Sequence, residues 1–183
     1  MSEEKTVVLG VTGGIAAYKA ADLASKLVQA GMTVKTIMTY SATEFITPLT
    51  FRNLTGQPVV TDMFDLESEY SVEHVALAEA ADVIVIAPAT ANIIAKIACG
   101  IADDSLTCTV LATEAPVVVA PSMNDNMYKN PVTQENIEKL KKRGLVIVEP
   151  EYGWLASGKI GQGRLAETEK IIEAVNQSLD KKQ

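Results

Sequence analysis

A single doubly wound α/β domain, Rossmann-like and built on a parallel sheet, is the fold this sequence predicts. Short runs of Val, Ile and Ala alternate along it with amphipathic stretches. A glycine-rich turn, Gly10-Val11-Thr12-Gly13-Gly14, joins the first such run to the first amphipathic stretch. The run at 117–120 leads directly into Pro121-Ser122-Met123-Asn124-Asp125-Asn126-Met127-Tyr128. Continuous apolar runs mark strands buried on both faces, and ligands of open α/β sheets gather beyond the carboxyl ends of such strands. One amide, two thioethers and a phenol at that spot suit a pocket wall better than an ordinary turn; the plainer alternative is a helix start with packed methionines.

Thr6–Val11 is an uninterrupted apolar run and the expected first strand. A helix over 15–30 follows, stopped by Gly31, and Thr33–Met38 completes a βαβ unit. A helix is expected over 48–54, then a poorly patterned stretch. Residues 83–87 form the next strand, 92–98 and Ser105–Ala112 are helical, and 116–120 is a strand. A helix over 133–143, a last core strand over 145–148 and a closing helix over 167–179 complete the series, leaving a solvated tail at 180–183. The whole of 1–183 reads as one domain with its core at 5–175. Two connections, 40–73 and 149–166, exceed the usual length of about 4–6 residues. The second carries Gly153, Gly158, Gly161 and Gly163, and reads as a flexible substrate flap over 150–165.

With 183 residues, 48% of them hydrophobic, the chain can bury a sizeable core. Its net charge of −7, with scattered lysines, argues against a nucleic-acid partner. No apolar run approaches the roughly 18 residues a membrane helix needs, and the charged amino terminus reads as no signal peptide, so a soluble cytoplasmic protein without a membrane partner is expected. Cys99 and Cys108 lack metal spacing and are expected as core thiols in a reducing compartment; no metal site is expected.

Glycines between the first strand and helix let backbone approach a phosphate at a helix amino terminus. A dinucleotide is disfavoured, because the second strand ends in Met38-Thr39-Tyr40-Ser41 with no acid for a ribose hydroxyl. The hydroxyls of Thr39 and Ser41 suit a mononucleotide phosphate; a tight turn with nothing bound is the alternative. Thr90 and Asn92 follow the 83–87 strand at the ligand edge, where Thr90 also fits a helix N-cap. His74 is the chain's single histidine, so a general base of near-neutral pKa would be this residue. A surface or core histidine is the plainer reading.

Together, Gly13-Gly14-Ile15-Ala16, His74, Ala87-Pro88-Ala89-Thr90-Ala91-Asn92, the 121–128 block and Gly158-Lys159-Ile160-Gly161-Gln162-Gly163-Arg164-Leu165 resemble the flavin-containing cysteine decarboxylases, from Lys5 to about Val175. The resemblance implies a flavoprotein-type fold holding FMN, with its phosphate on Gly13, Gly14, Ile15, Thr39 and Ser41 and further contacts from Thr90, Ala91, Asn92 and Ser122. It implies oxidative decarboxylation of a small phosphorylated cysteine amide, 4′-phosphopantothenoylcysteine, in coenzyme A biosynthesis. His74 would assist oxidation as base, Asn124 and Met127 would meet the substrate, and Gly163 and Arg164 would belong to the covering flap. It implies too a homo-oligomer, a trimer or multiple of trimers, with sites at subunit contacts. Ser157 stands where the family has a proton-donating cysteine, so either another group gives that proton or the reaction stops at the enethiol, as in peptidyl-cysteine decarboxylases. Two readings stay open beside these: a flavin-binding regulatory subunit without turnover, and a flavin prenyltransferase, which the Pro-x-Met-Asn block disfavours.

Overall fold

The computed structural model describes residues 4–64 and 73–181. Part of the long connection expected over 40–73 and the end of the expected tail lie outside the described residues. The elements run β1 (Thr6–Val11), a 3-10 turn (Ile15–Tyr18), α1 (Lys19–Gln29), β2 (Thr33–Met38), α2 (Tyr40–Thr43), α3 (Pro48–Thr55), β3 (Val59–Val60) and α4 (Glu73–Ala80). They continue with β4 (Val83–Ala89), α5 (Ala91–Cys99), α6 (Ser105–Ala112), β5 (Val117–Pro121), α7 (Asp125–Lys129), α8 (Pro131–Lys142), β6 (Val146–Ile147), β7 (Glu151–Trp154), β8 (Ile160–Arg164) and α9 (Thr168–Asp180).

Six strands pair in the order β3-β2-β1-β4-β5-β6, all parallel. This is the doubly wound fold, and its order reverses between β1 and β4. Strand alternation divides the core into two layers. Val7, Leu9 and Val11 with Val83, Val85, Val118 and Ala120 face α1 and α9, whereas Val8, Ile84, Ile86 and Val119 face α5, α6 and α8. Each fully buried Leu or Ile contributes about 1.5–3 kcal/mol, so a sheet covered on both faces holds its strand ends rigidly. Gly10 lets α6 pack closely on β1: a Cβ there would lie 2.5 Å from Leu106 Cδ1 and would make that side chain shift.

Four features depart from the expectations. β3 pairs at the sheet edge over two residues, too short for any hydrophobic period to show. α2 and α7 are helices of four and five residues in stretches read as pocket-forming connections. The glycine-rich flap contains an antiparallel hairpin, β7–β8, because Gly153 and Gly161 pair across it without side chains. The cysteines are not core thiols: Cys99 is exposed at the end of α5, and Cys108 is half-buried with its Sγ 3.6 Å from Met63 Sδ.

Candidate active site

A cavity of about 1050 Å³ opens at the carboxyl ends of the strands, where the sheet order reverses. Its walls are the segments that follow β1, β2, β4 and β5, closed on one side by the β7–β8 hairpin.

The first wall joins two turns. A Cβ on Gly13 would stand 2.3 Å from Ser41 Cβ and 2.7 Å from its carbonyl carbon, so the turns after β1 and β2 touch backbone to backbone. Thr39 N donates to Val11 O at 3.0 Å. The Thr39 hydroxyl is buried with no hydrogen-bond partner among the described residues, and Thr39 lines the cavity. A buried polar group left unpaired costs about 1–3 kcal/mol, so a hydrogen-bonding ligand at this wall would relieve a standing cost. Chain turns from strand into helix at Gly14, Thr39, Thr90 and Asn124, and all four residues line the cavity, so helix amino termini with their positive dipole ends border one space. Such a space suits a phosphate.

The second wall is the β4–α5 junction. Thr90 caps α5, its hydroxyl accepting from Ile93 N at 3.3 Å, so it is cap and wall together. Thr12, buried on the β1 side, donates to Pro88 O at 2.7 Å and accepts from Thr90 N at 3.1 Å. This hydroxyl bolts the two halves of the sheet together across the switch point. Thr12→Ala is therefore expected to destabilise the fold by about 1–3 kcal/mol, read as a lower midpoint of urea unfolding.

Asn124 heads the third wall. Its Oδ1 accepts from Asn126 N at 2.9 Å, which caps α7 and fixes the amide plane. The plainer reading of a helix start is thus also true, and it leaves Nδ2 as the group that can serve a ligand. Ser122 N donates to Ala89 O and Met123 N to Gly163 O, both at 2.9 Å. Gly163 has φ +142, and a Cβ there would sit 2.2 Å from Met123 O. Glycine is obligatory where the flap crosses this wall.

Every candidate site residue lines the cavity except His74, and the Tyr128 phenol, expected in the pocket wall, turns instead to Glu149. Gly13, Gly14 and Ile15 with Thr39 and Ser41 form one end; Thr90, Ala91, Asn92 and Ser122 follow; Asn124, Met127, Ser157, Gly163 and Arg164 close the other. His74 is half-buried on the first turn of α4, which packs against α6.

Sequence reasoning missed Thr12, Lys19, Lys96 and Trp154. Lys96 donates to Asp103 at 2.7 Å and Asp104 at 3.3 Å, and those bonds hold its ammonium above the usual lysine range. Lys19 makes no ion pair among the described residues, so the lining is biased toward positive charge. Arg164 is paired with Glu167, but its Nε is buried with no hydrogen-bond partner among the described residues. Only the ladder of i, i+3 and i, i+4 spacings in α1 and α5 could have pointed to the two lysines.

Among the described residues no group of His, Cys, Asp and Glu could hold a metal ion, and no helix is long and apolar enough to cross a membrane.

A sequence model of the flavoprotein family matches residues 1–180. The coenzyme A biosynthesis bifunctional protein CoaBC of Bacillus subtilis (strain 168) is 50% identical over 173 residues, covering 94% of this chain and 43% of that protein. The chain thus spans less than half the length of the curated relatives it matches. Among solved structures, the FMN-dependent cysteine decarboxylase SpaF superposes with a TM-score of 0.84 at 36% identity, covering 98% of this chain and 97% of that one. A cysteine-to-serine mutant of PPC decarboxylase, complexed with pantothenoylaminoethenethiol, does so with 0.86 at 33%, covering 96% and 98%.

Proposed function

Because the chain belongs to the flavoprotein family, we propose that it is an FMN-dependent decarboxylase acting on the cysteine moiety of 4′-phosphopantothenoylcysteine, in coenzyme A biosynthesis. One observation carries this: a single cavity combines a phosphate-type wall with the Asn124–Met127 wall and the flap. The orphaned Thr39 hydroxyl and the converging helix starts fit FMN, held at its phosphate by Gly13, Gly14, Ile15, Thr39 and Ser41. Thr90, Ala91, Asn92 and Ser122 would line its length.

Decarboxylation needs somewhere for the electron pair of the departing carboxylate to go, and a cysteinyl group offers none. FMN, if held by these residues, would supply a two-electron acceptor for the thiol-bearing carbon, and the thiocarbonyl left β to the carboxylate would take up that electron pair. The remaining work falls to the chain. His74 takes the proton released in that oxidation. Asn124 Nδ2 donates to the substrate carboxylate; being neutral, the amide orients the group without holding its charge so tightly that loss of CO₂ is opposed. Met127 supplies an apolar flank, and Gly163 and Arg164 set the flap.

Asn124→Asp separates fold from chemistry. Aspartate caps a helix as well as asparagine and suits its dipole, so α7 should persist. Carboxylate would then face carboxylate, and CO₂ release should fall at least about a hundredfold with FMN still bound. Turnover near wild type would remove Asn124 from its assigned contact.

Ser157 lines the cavity on the flap, exposed and with no acid stronger than its own hydroxyl to offer. A thiol of pKa about 8.5 protonates carbon far more readily than a hydroxyl. This favours a second reading of the product, in which the enethiol leaves unreduced. Ser157→Cys is expected to raise the share of 4′-phosphopantetheine over enethiol, measured by mass spectrometry of the products. An unchanged ratio would assign the proton to another donor.

The protein is further proposed to work as a trimer, or a multiple of trimers, with the cavity completed at subunit contacts. Support comes from His74 standing off the cavity of its own chain, and from Ile15, Tyr18 and Tyr40, which are 61%, 60% and 79% exposed at the cavity wall. Incubating the FMN-loaded protein with 4′-phosphopantothenoylcysteine, and separately with a peptide ending in cysteine, tests the substrate. CO₂ from the first alone is expected; CO₂ from the peptide alone would overturn the assignment.

A further inference from the structure

Helix α7 presents both side chains assigned to the substrate, Asn124 at its cap and Met127 within it, yet at five residues it has little stability of its own. Tyr128 is its one buried residue, 6% exposed, whereas Met127 is 50% exposed. The Tyr128 hydroxyl donates to Glu149 Oε2, and Gln134 Nε2 of α8 donates to the Tyr128 carbonyl at 2.5 Å. Glu149 follows β6 and stands two residues before the flap strand β7. Its other oxygen receives Lys141 at 3.0 Å, and Lys141 also reaches Glu138 at 3.0 Å. Burial alone would raise the Glu149 carboxyl, but hydrogen bonds from Tyr128 and Lys141 outweigh it and hold the group below its usual range. Burial and the adjoining carboxylate push the phenol above its own. Donor and acceptor are thus fixed in role. The flap leans on the same helix from its other strand, where a Cβ on Gly161 would lie 2.8 Å from Asp125 Cβ.

We infer that Tyr128 and Glu149 are a positioning pair that holds the Asn124-bearing helix to the root of the flap, so that one half-buried hydrogen bond, from a buried phenol to a carboxylate at the surface, sets both substrate-facing elements. Its consequence for turnover rests on the decarboxylase reading; the mechanical coupling does not.

The flap tip exposes Lys159, which lets trypsin report on the coupling in the intact protein. Tyr128→Phe and Glu149→Leu should each accelerate cleavage after Lys159 about tenfold, since each removes a hydrogen bond to a charged group and cleavage follows the open population. Glu149→Gln keeps an acceptor for the phenol and should stay near the wild-type rate. In the FMN-loaded enzyme, the first two variants should raise KM for the cysteinyl substrate about tenfold while leaving FMN affinity unchanged, a split that general loosening would not produce. Unchanged cleavage after Lys159 in both would overturn the pairing, as would equal acceleration after Lys26 and Lys142. A wild-type protein that turns over no substrate, while the variants still open the flap, would refute the decarboxylase reading and leave the coupling standing.

Discussion

Replacing His74 by asparagine is expected to leave FMN bound and to lower CO₂ release at least about a hundredfold, the scale of a lost general base. Asparagine retains a polar side chain on the first turn of α4 but has no group that accepts a proton near neutral pH. The chain's single histidine leaves no substitute base of similar pKa. Because His74 lies off its own chain's cavity, the site would be assembled from two copies, and that makes a sharper expectation possible. Subunits carrying His74→Asn, which keep a sound cavity, mixed with subunits carrying Asn124→Asp, which keep a sound histidine, should regain activity together. In a head-to-tail ring about a quarter of the sites would then receive both intact groups. No recovery in mixed oligomers, verified by mass, would place base and cavity in one chain or remove His74 from the chemistry.

Gly13→Ala should abolish FMN binding and destabilise the fold by about 1–3 kcal/mol, the cost of overpacking a site that cannot give way. The added methyl would meet Ser41 Cβ at 2.3 Å and its backbone carbonyl oxygen at 2.8 Å, and backbone does not rotate aside. Relief requires parting the β1 and β2 turns, which would separate Thr39 and Ser41 from Gly14 and Ile15. Gly14→Ala is the control, because its methyl would come no closer than 3.7 Å to Thr90 Cγ2 and its φ of −160 suits any residue. Thermal midpoints of the two variants should therefore diverge, and flavin fluorescence titration of Gly13→Ala should show no binding. Equal tolerance of both would refute the contact between the turns.

The sheet was legible in the sequence because its strands are buried on both faces. Val83-Ile84-Val85-Ile86 and Val117-Val118-Val119 leave no polar position to mislead, and the parallel, doubly wound arrangement follows from the helices between them. β3 escaped notice because two residues carry no period. The hairpin escaped because its sheet is built from glycines that ordinarily signal a loop; here Gly161 and Gly163 are small so that the flap can lie against Asp125 and Met123. In the site, residue type carried the signal. Thr39 and Ser41 were legible as hydroxyls where an acid would serve a dinucleotide, and Asn124 as an amide after a buried strand. Thr12 was not, because its value lies in a bond to Pro88, 76 positions away. Trp154 faces the cavity from a strand that the glycine pattern concealed. The cysteines misled because apolar neighbours in sequence are not burial: Cys99 ends a helix on its exposed side.

Flavin and cysteinyl substrate are expected to meet in one cavity. Mixing FMN-reconstituted protein with 4′-phosphopantothenoylcysteine without oxygen, while following flavin absorbance and released CO₂ together, tests that most directly. Bleaching of the flavin accompanied by CO₂ is the predicted result. A flavin spectrum that stays unchanged, with no CO₂ released, would contradict it.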